Sequence, residues 1–108
     1  MITGKPIKKE DKELWGLFQK KIENGDYLIL HHAKKRQKDR NINDLVVLAI
    51  LENKPGRKSK RNKSKDIYIP NHHDWNYCIE GSDIDGKKIR IIVSFDNTLM
   101  LVITVIRL

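Results

Sequence analysis

The sequence predicts an α+β fold, with N-terminal helices packed on a four-stranded, mainly antiparallel sheet. Apolar residues recur at helical spacing in the first half of the chain, alternating apolar runs punctuated by turn dipeptides fill the second half, and 108 residues at 39% hydrophobic allow one modest core. Helices first and a meander afterwards segregate the two element types within a single domain spanning residues 1–108.

From Lys9 to Asn24, Leu14, Trp15, Leu17, Phe18 and Ile22 fall on one side of a helix, and Asn24-Gly25 stops it. This helix makes residues 1–26 an N-terminal unit ahead of a core at 27–108. Tyr27 to Leu30 is a short apolar stretch, strand or linker, leading into a second helix from His31 to about Asn41. Asn43-Asp44 can cap a third helix through Asn53, because a short polar side chain at the N-cap satisfies otherwise orphaned backbone donors. Its run Leu45 to Leu51 is apolar on every side, which suits a buried helix.

Lys54 to Asp66 mixes Pro, Gly, Ser and Asn with seven basic residues and one acidic one, a net +6 of the chain's +8. Such composition buries little apolar surface and predicts a mobile basic loop at 54–66. Strands are expected at Ile67 to Ile69, Asn76 to Glu80, Lys88 to Ser94 and Leu99 to Arg107, with turns at Asp85-Gly86 and Asp96-Asn97. In the Lys88 strand, Ile89, Ile91 and Val93 face one way and Lys88, Arg90 and Ile92 the other, so Arg90 leaves the core side. The last strand is apolar on both faces, as a central strand would be, with Thr104 its single interior polar residue.

Twenty-two Lys and Arg against 14 Asp and Glu give a formal charge of +8, a potential that draws polyanions. A lone cysteine, Cys78, excludes an internal disulfide framework and suits a reducing compartment, so a cytoplasmic location is expected. Lys5, Lys8 and Lys9 interrupt any signal-like apolar start, and the runs Leu45 to Leu51 and Leu99 to Ile106 are too short to cross a bilayer; no membrane partner is expected.

His32, Arg36 and Arg40 recur every fourth residue, so on a helix one imidazole and two guanidiniums share a side. Imidazole is the side chain that titrates nearest neutrality, and guanidinium grips phosphate bidentately. His31, adjacent in the same run, is a second candidate imidazole. Lys35, Lys58, Lys60, Arg61, Lys63 and Lys88 are candidate backbone contacts, which confer affinity rather than sequence selectivity. Tyr68, Trp75 and Tyr77 could stack on unpaired bases or pack in the core.

His32-Ala33-x-x-Arg36-x-x-x-Arg40-x-Ile42, then Tyr77-Cys78-Ile79-Glu80-Gly81, then Asp85 to Val93 closing on Ile103-Thr104-Val105, resembles a small uncharacterised-domain family grouped with the RelE/ParE toxins. The resemblance covers about Tyr27 to Leu108. It implies a RelE-like helix-and-sheet fold shared with barnase, EndoU and colicin nuclease domains, metal-independent RNA cleavage with no cofactor, and an antitoxin or immunity protein as partner. The basic loop is longer than that pattern, the first helix precedes it, and position 41 is Asn where glycine is common.

Such cleavage needs a group to take the 2′-hydroxyl proton, one to protonate the departing 5′-oxygen, and cations over the phosphorane. A positioned acid or base is worth about 10²- to 10⁴-fold, and phosphate-directed donors act by stabilising developing charge. His32 is assigned to proton transfer, Arg36, Arg40 and Arg90 to phosphate, and Thr104 to orientation. The expected substrate is mRNA, free or ribosome-presented. The alternatives are a toxic C-terminal nuclease domain of a delivered effector and a non-catalytic RNA- or protein-binding module. His72, His73, Asp74 and Cys78 match no standard tetrahedral ligand spacing, so no metal site is expected.

Overall fold

The computed structural model describes residues 5–70 and 72–108. In chain order the elements are α1 (Asp11–Asn24), β1 (Tyr27–Ile29), α2 (His31–Asp39), α3 (Asp44–Glu52), β2 (Lys60–Arg61), a 3-10 turn (Lys63–Lys65), β3 (Tyr77–Ser82), β4 (Lys88–Phe95) and β5 (Met100–Arg107). The α+β class is as the patterning predicts. The sheet is five-stranded and mixed rather than four-stranded, in the order β1-β5-β4-β3-β2. β1 pairs with β5 in parallel, and the other neighbours are antiparallel.

The difference comes from the two shortest strands. Three residues, Tyr27 to Ile29, cannot display a period, but β5 is apolar on both faces and takes a neighbour on each side: β4 on one, β1 on the other. β2 is two residues long and lies inside the basic segment, where charge obscures the pairing Lys60 to Glu80 and Arg61 to Ile79. The strand expected at Ile67 to Ile69 reduces to one bridge, Ile67 to Asn76.

The basic segment expected as a loop carries secondary structure in its second half, β2 and the 3-10 turn, and one of its arginines is buried in the fold. The Arg61 side chain is 2% exposed and donates through Nε and Nη2 to Asp66 and through Nη1 to Asp11. The second carboxylate oxygen of Asp66, itself fully buried, accepts from the Cys78 backbone N–H. Counting charge along the segment missed this because Asp11 lies 50 residues away in α1.

One face of the sheet is covered by helices. Leu14 and Phe18 of α1, Val47, Ile50 and Leu51 of α3, and Ile79, Ile89, Ile91, Val93, Val102 and Val105 of the strands form one buried cluster. Phe18 stacks on Phe95 at 5.9 Å between ring centroids. Gly81 lets α3 settle onto β3, since a Cβ there would lie 2.6 Å from Ile50 Cγ2. α3 starts as its cap predicts, with Asn43 Oδ1 accepting from Val46 N–H. It is not apolar-buried all round: Leu45 is 76% exposed. α2 ends at Asp39, and Asn41 takes the left-handed conformation (φ 55°), which Asn tolerates in place of glycine.

A β-bulge shapes the opposite, outer face. Pairing shifts between Ile92 and Val93: Ile92 faces Thr104 but Val93 faces Val102, leaving Ile103 as the extra residue. Met100, Val102 and Val105 are therefore the buried positions of β5, while Thr104 aligns with Ile92 and Arg90 on the outer side.

Candidate functional site

Helix α2 is pinned along β5 at both ends. At its start Leu30 N–H donates to Val102 C=O (3.0 Å), continuing the parallel ladder, and at its end Arg107 Nη2 donates to Arg40 C=O (3.2 Å). His32 and Thr104 each lie two residues beyond the Leu30–Val102 bond on chains running the same way. Arg36 follows His32 by one turn, about 5.4 Å along the helix. At about 1.5 Å per helical residue and about 3.3 Å per strand residue, His32 lies about 3 Å past the Leu30–Val102 bond, level with Ile103 next to Thr104, and Arg36 about 9 Å past it, level with Val105, next to Ile106, the cross-strand partner of Arg90.

The rotation of α2 separates its flanks. Ala33 and Gln37 are buried against the core, and at about 100° per residue His32 and Arg36 fall on one flank, Lys34 and Lys38 on the other. The second flank is bound to the start of α3: Lys34 Nζ and Gln37 Nε2 both donate to Asp44, whose carboxyl is held below its ordinary value first by the Lys34 hydrogen bond. His31 and Lys35 sit on the solvent crest, away from the sheet. Lys35, Arg36, Lys38 and Arg40 have no acid within 4 Å among the described residues. An open hollow of about 470 Å³ lies on the Lys34–Asp44 flank, where Lys34 and Asp44 neutralise each other.

On the outer face, Arg90 donates through Nε and Nη2 to Glu80 Oε2 (3.0 and 2.8 Å), and Asn62 Nδ2 donates to the same oxygen. Those bonds, Asn62 first and Arg90 next, hold the Glu80 carboxyl below its usual range. It is an anion at neutral pH, fixing Arg90 in place and leaving Nη1 without a partner among the described residues. Lys58, Lys60 and Lys88 converge with Glu80 on an adjacent hollow of about 160 Å³.

Three expected RNA contacts are placed otherwise. Arg61 is sequestered by Asp66 and Asp11, and Lys63 pairs with Glu10. Tyr77 is fully buried, its hydroxyl donating to Asp74 and accepting from the Lys9 N–H, so it cannot stack on a base. Burial, first, and the Asp74 contact push its phenol up, keeping it protonated. The alternation of β3 points Tyr77 and Ile79 to the core and Glu80 outward, which decides both roles.

Glu80 is the participant that sequence reasoning missed. Its signal was present: Glu80 and Arg90 stand equally far from Asp85 in the turn, so an antiparallel hairpin brings the opposite charges together. Asp74 is buried beneath Tyr77 and Lys9, and burial raises the Cys78 thiol, leaving a packed, protonated sulfur. Among the described residues no group of three or more His, Cys, Asp or Glu could hold a metal ion, and no helix is long and apolar enough to cross a membrane.

Fold and surface together define a small basic α+β protein with an imidazole and guanidinium flank beside β5, whose outward positions are apolar except Thr104, and a polar Glu80–Arg90 cluster on the strands beyond it. Residues 29–107 match the model of a domain of unknown function, DUF4258, and the chain belongs to that family. No curated protein and no solved structure matches it.

Proposed function

We propose that this protein is a metal-independent endoribonuclease whose site lies between the His32 flank of α2 and the outer face of β4 and β5. The reading is carried by one observation: His32 and Arg36 stand one turn apart on a helix pinned along β5, with Arg40 just past its end, all three exposed and without an acid partner among the described residues, beside the stretch of β5 that carries Thr104 and Ile106. The flank bearing them is the one turned away from α3, which packs on the helix-covered side of the sheet.

In this reading Arg36, Arg40 and the free edge of Arg90 hold the scissile phosphate, and Thr104 orients it. The 2′-oxygen bonds to phosphorus as the bond to the 5′-oxygen breaks. His32 moves the proton, and the products are a 2′,3′-cyclic phosphate and a 5′-hydroxyl. Lys58, Lys60 and Lys88 take neighbouring phosphates. The resemblance to RelE/ParE toxins extends the proposal to a RelE-like fold, cytoplasmic action on mRNA and a neutralising partner protein.

A second reading, an RNA-docking module without turnover, is favoured by the lack of any side-chain hydrogen bond orienting His32 or Arg36 among the described residues. Incubating purified protein with single-stranded RNA in excess chelator separates the two. Cleavage that His32→Ala and Arg36→Ala each lower at least about 100-fold, with unchanged melting temperature, supports the nuclease. Binding without cleavage supports docking. Cleavage that needs a divalent metal, or that neither variant affects, overturns the proposal.

A further inference from the structure

A groove of about 300 Å³ opens on the outer face at the end of the sheet where β1 passes into α2. Its walls include Leu30, Phe95, Leu101 and Ile103, and its rim carries the exposed imidazoles of His72 and His73. Asp96 also borders it: Oδ1 accepts from the Thr98 and Leu99 N–H groups, and Oδ2 has no partner among the described residues.

The groove is lined by chain neighbours of the proposed cleavage site, on which this inference rests. Leu30 precedes His32 by two residues, so their Cα atoms are at most about 7.6 Å apart. Ile103, the bulge residue, adjoins Thr104. A strand whose phosphate lay over Arg36 and Thr104 would therefore carry a neighbouring base to this hollow. The walls are apolar and suit a flat ring. The two imidazoles offer stacking surfaces and ring nitrogens, and Asp96 Oδ2 offers an acceptor for an exocyclic amino group.

We infer that the groove bounded by Leu30, Leu101, Ile103, His72 and His73 is a base-binding subsite, which receives one unpaired base of the RNA strand held at α2. It assigns selectivity to a region distinct from the lysines, whose phosphate contacts are indifferent to sequence. Single-stranded RNA is read in this way, by unstacked bases laid on ring faces.

The test is binding, by fluorescence anisotropy, of a labelled six-nucleotide single strand with 2′-methoxy groups, which cannot undergo 2′-oxygen attack, against the same strand with abasic central positions. The intact strand is expected to bind about tenfold more tightly, as base stacking on a ring contributes. The double variant His72→Ala, His73→Ala should remove that advantage and leave the abasic affinity and melting temperature unchanged. Leu101→Trp, which fills the groove, should act likewise. Equal binding of both strands to the unaltered protein overturns the subsite and leaves the nuclease reading standing. An advantage that survives both variants also overturns the subsite. Failure to bind either strand overturns both inferences.

Discussion

Replacing Arg61 with alanine should unfold this protein more than it weakens any grip on RNA. The guanidinium is 2% exposed and bonds through all three nitrogens to two carboxylates, one of which, Asp66, is fully buried. Removing one partner of a buried pair leaves an uncompensated charge, and the usual cost is about 3–5 kcal/mol. The lower end applies, because Asp66 keeps the Cys78 N–H and gains relatively more from Lys8, 3.8 Å away. Arg61 also lies over the Tyr77 ring at 5.2 Å, and alanine cannot reach that ring. Against a typical total of about 5–15 kcal/mol this is a large fraction. For a chain of this size about 3 kcal/mol lowers the melting temperature by roughly 12–24 °C. Urea unfolding of Arg61→Ala beside Lys60→Ala measures it. The exposed Lys60 is its neighbour on β2, with no acid within 4 Å among the described residues, and should change stability by less than about 0.5 kcal/mol. A loss below about 1 kcal/mol for Arg61→Ala, together with a flatter salt dependence of RNA binding, would show that the side chain is free for phosphate and that the buried-clamp argument is wrong.

Four further outcomes follow from neighbouring features of the fold. Gly81→Ala places a methyl 2.6 Å from Ile50 and should destabilise by about 1–3 kcal/mol, with part of the loss recovered in Gly81→Ala, Ile50→Val when the pair is measured as a double-mutant cycle. Asn43→Ala removes the α3 cap and should cost about 1 kcal/mol in urea unfolding. The Glu80 carboxyl titrates lower in the folded protein than its ordinary 4.5, so the unfolded chain binds the proton more readily. Its stabilisation is complete above pH 4.5 and disappears as the pH falls through the depressed value; Glu80→Gln should show a shallower acid limb in stability against pH. Neutralising Lys58, Lys60 and Lys88 together should flatten the slope of log affinity for RNA against log salt by about one per phosphate released, whereas Lys63→Gln should leave it unchanged.

The helices and the long strands were legible in the sequence because each displays its period or its cap. Leu14 and Phe18 recur at helical spacing, Asn43 announces α3, and the alternation of β4 sets Arg90 against Ile89 and Ile91. What escaped was pairing between distant parts of the chain. β1 has too few residues to show alternation, and its parallel partner lies more than 70 residues on. The basic segment read as a solvated tract because Glu10 and Asp11, which bind Lys63 and Arg61, belong to the N-terminal region. Tyr77 and Glu80 could be told apart only once the β3 register fixed which faces the helices. For the candidate site, the spacing of His32 and Arg36 was enough to place them on a shared flank, whereas Arg40 falls just past the helix end; the Leu30 and Arg107 hydrogen bonds add the strand that flank runs beside.

The single unpaired residue at Ile103 has a consequence for how chain length can vary along β5. Side chains of a regular strand alternate strictly, so removing one residue at Leu101 would exchange interior for exterior on one side of the cut. Excising Ile103 does the opposite: it restores an unbroken ladder in which Val102 and Val105 still point inward and Thr104 still points out. A shortened chain of that kind would keep the hydroxyl beside α2 while forfeiting one wall of the groove and the local bend, so deletion here could trim one half of the proposed site without disturbing the other.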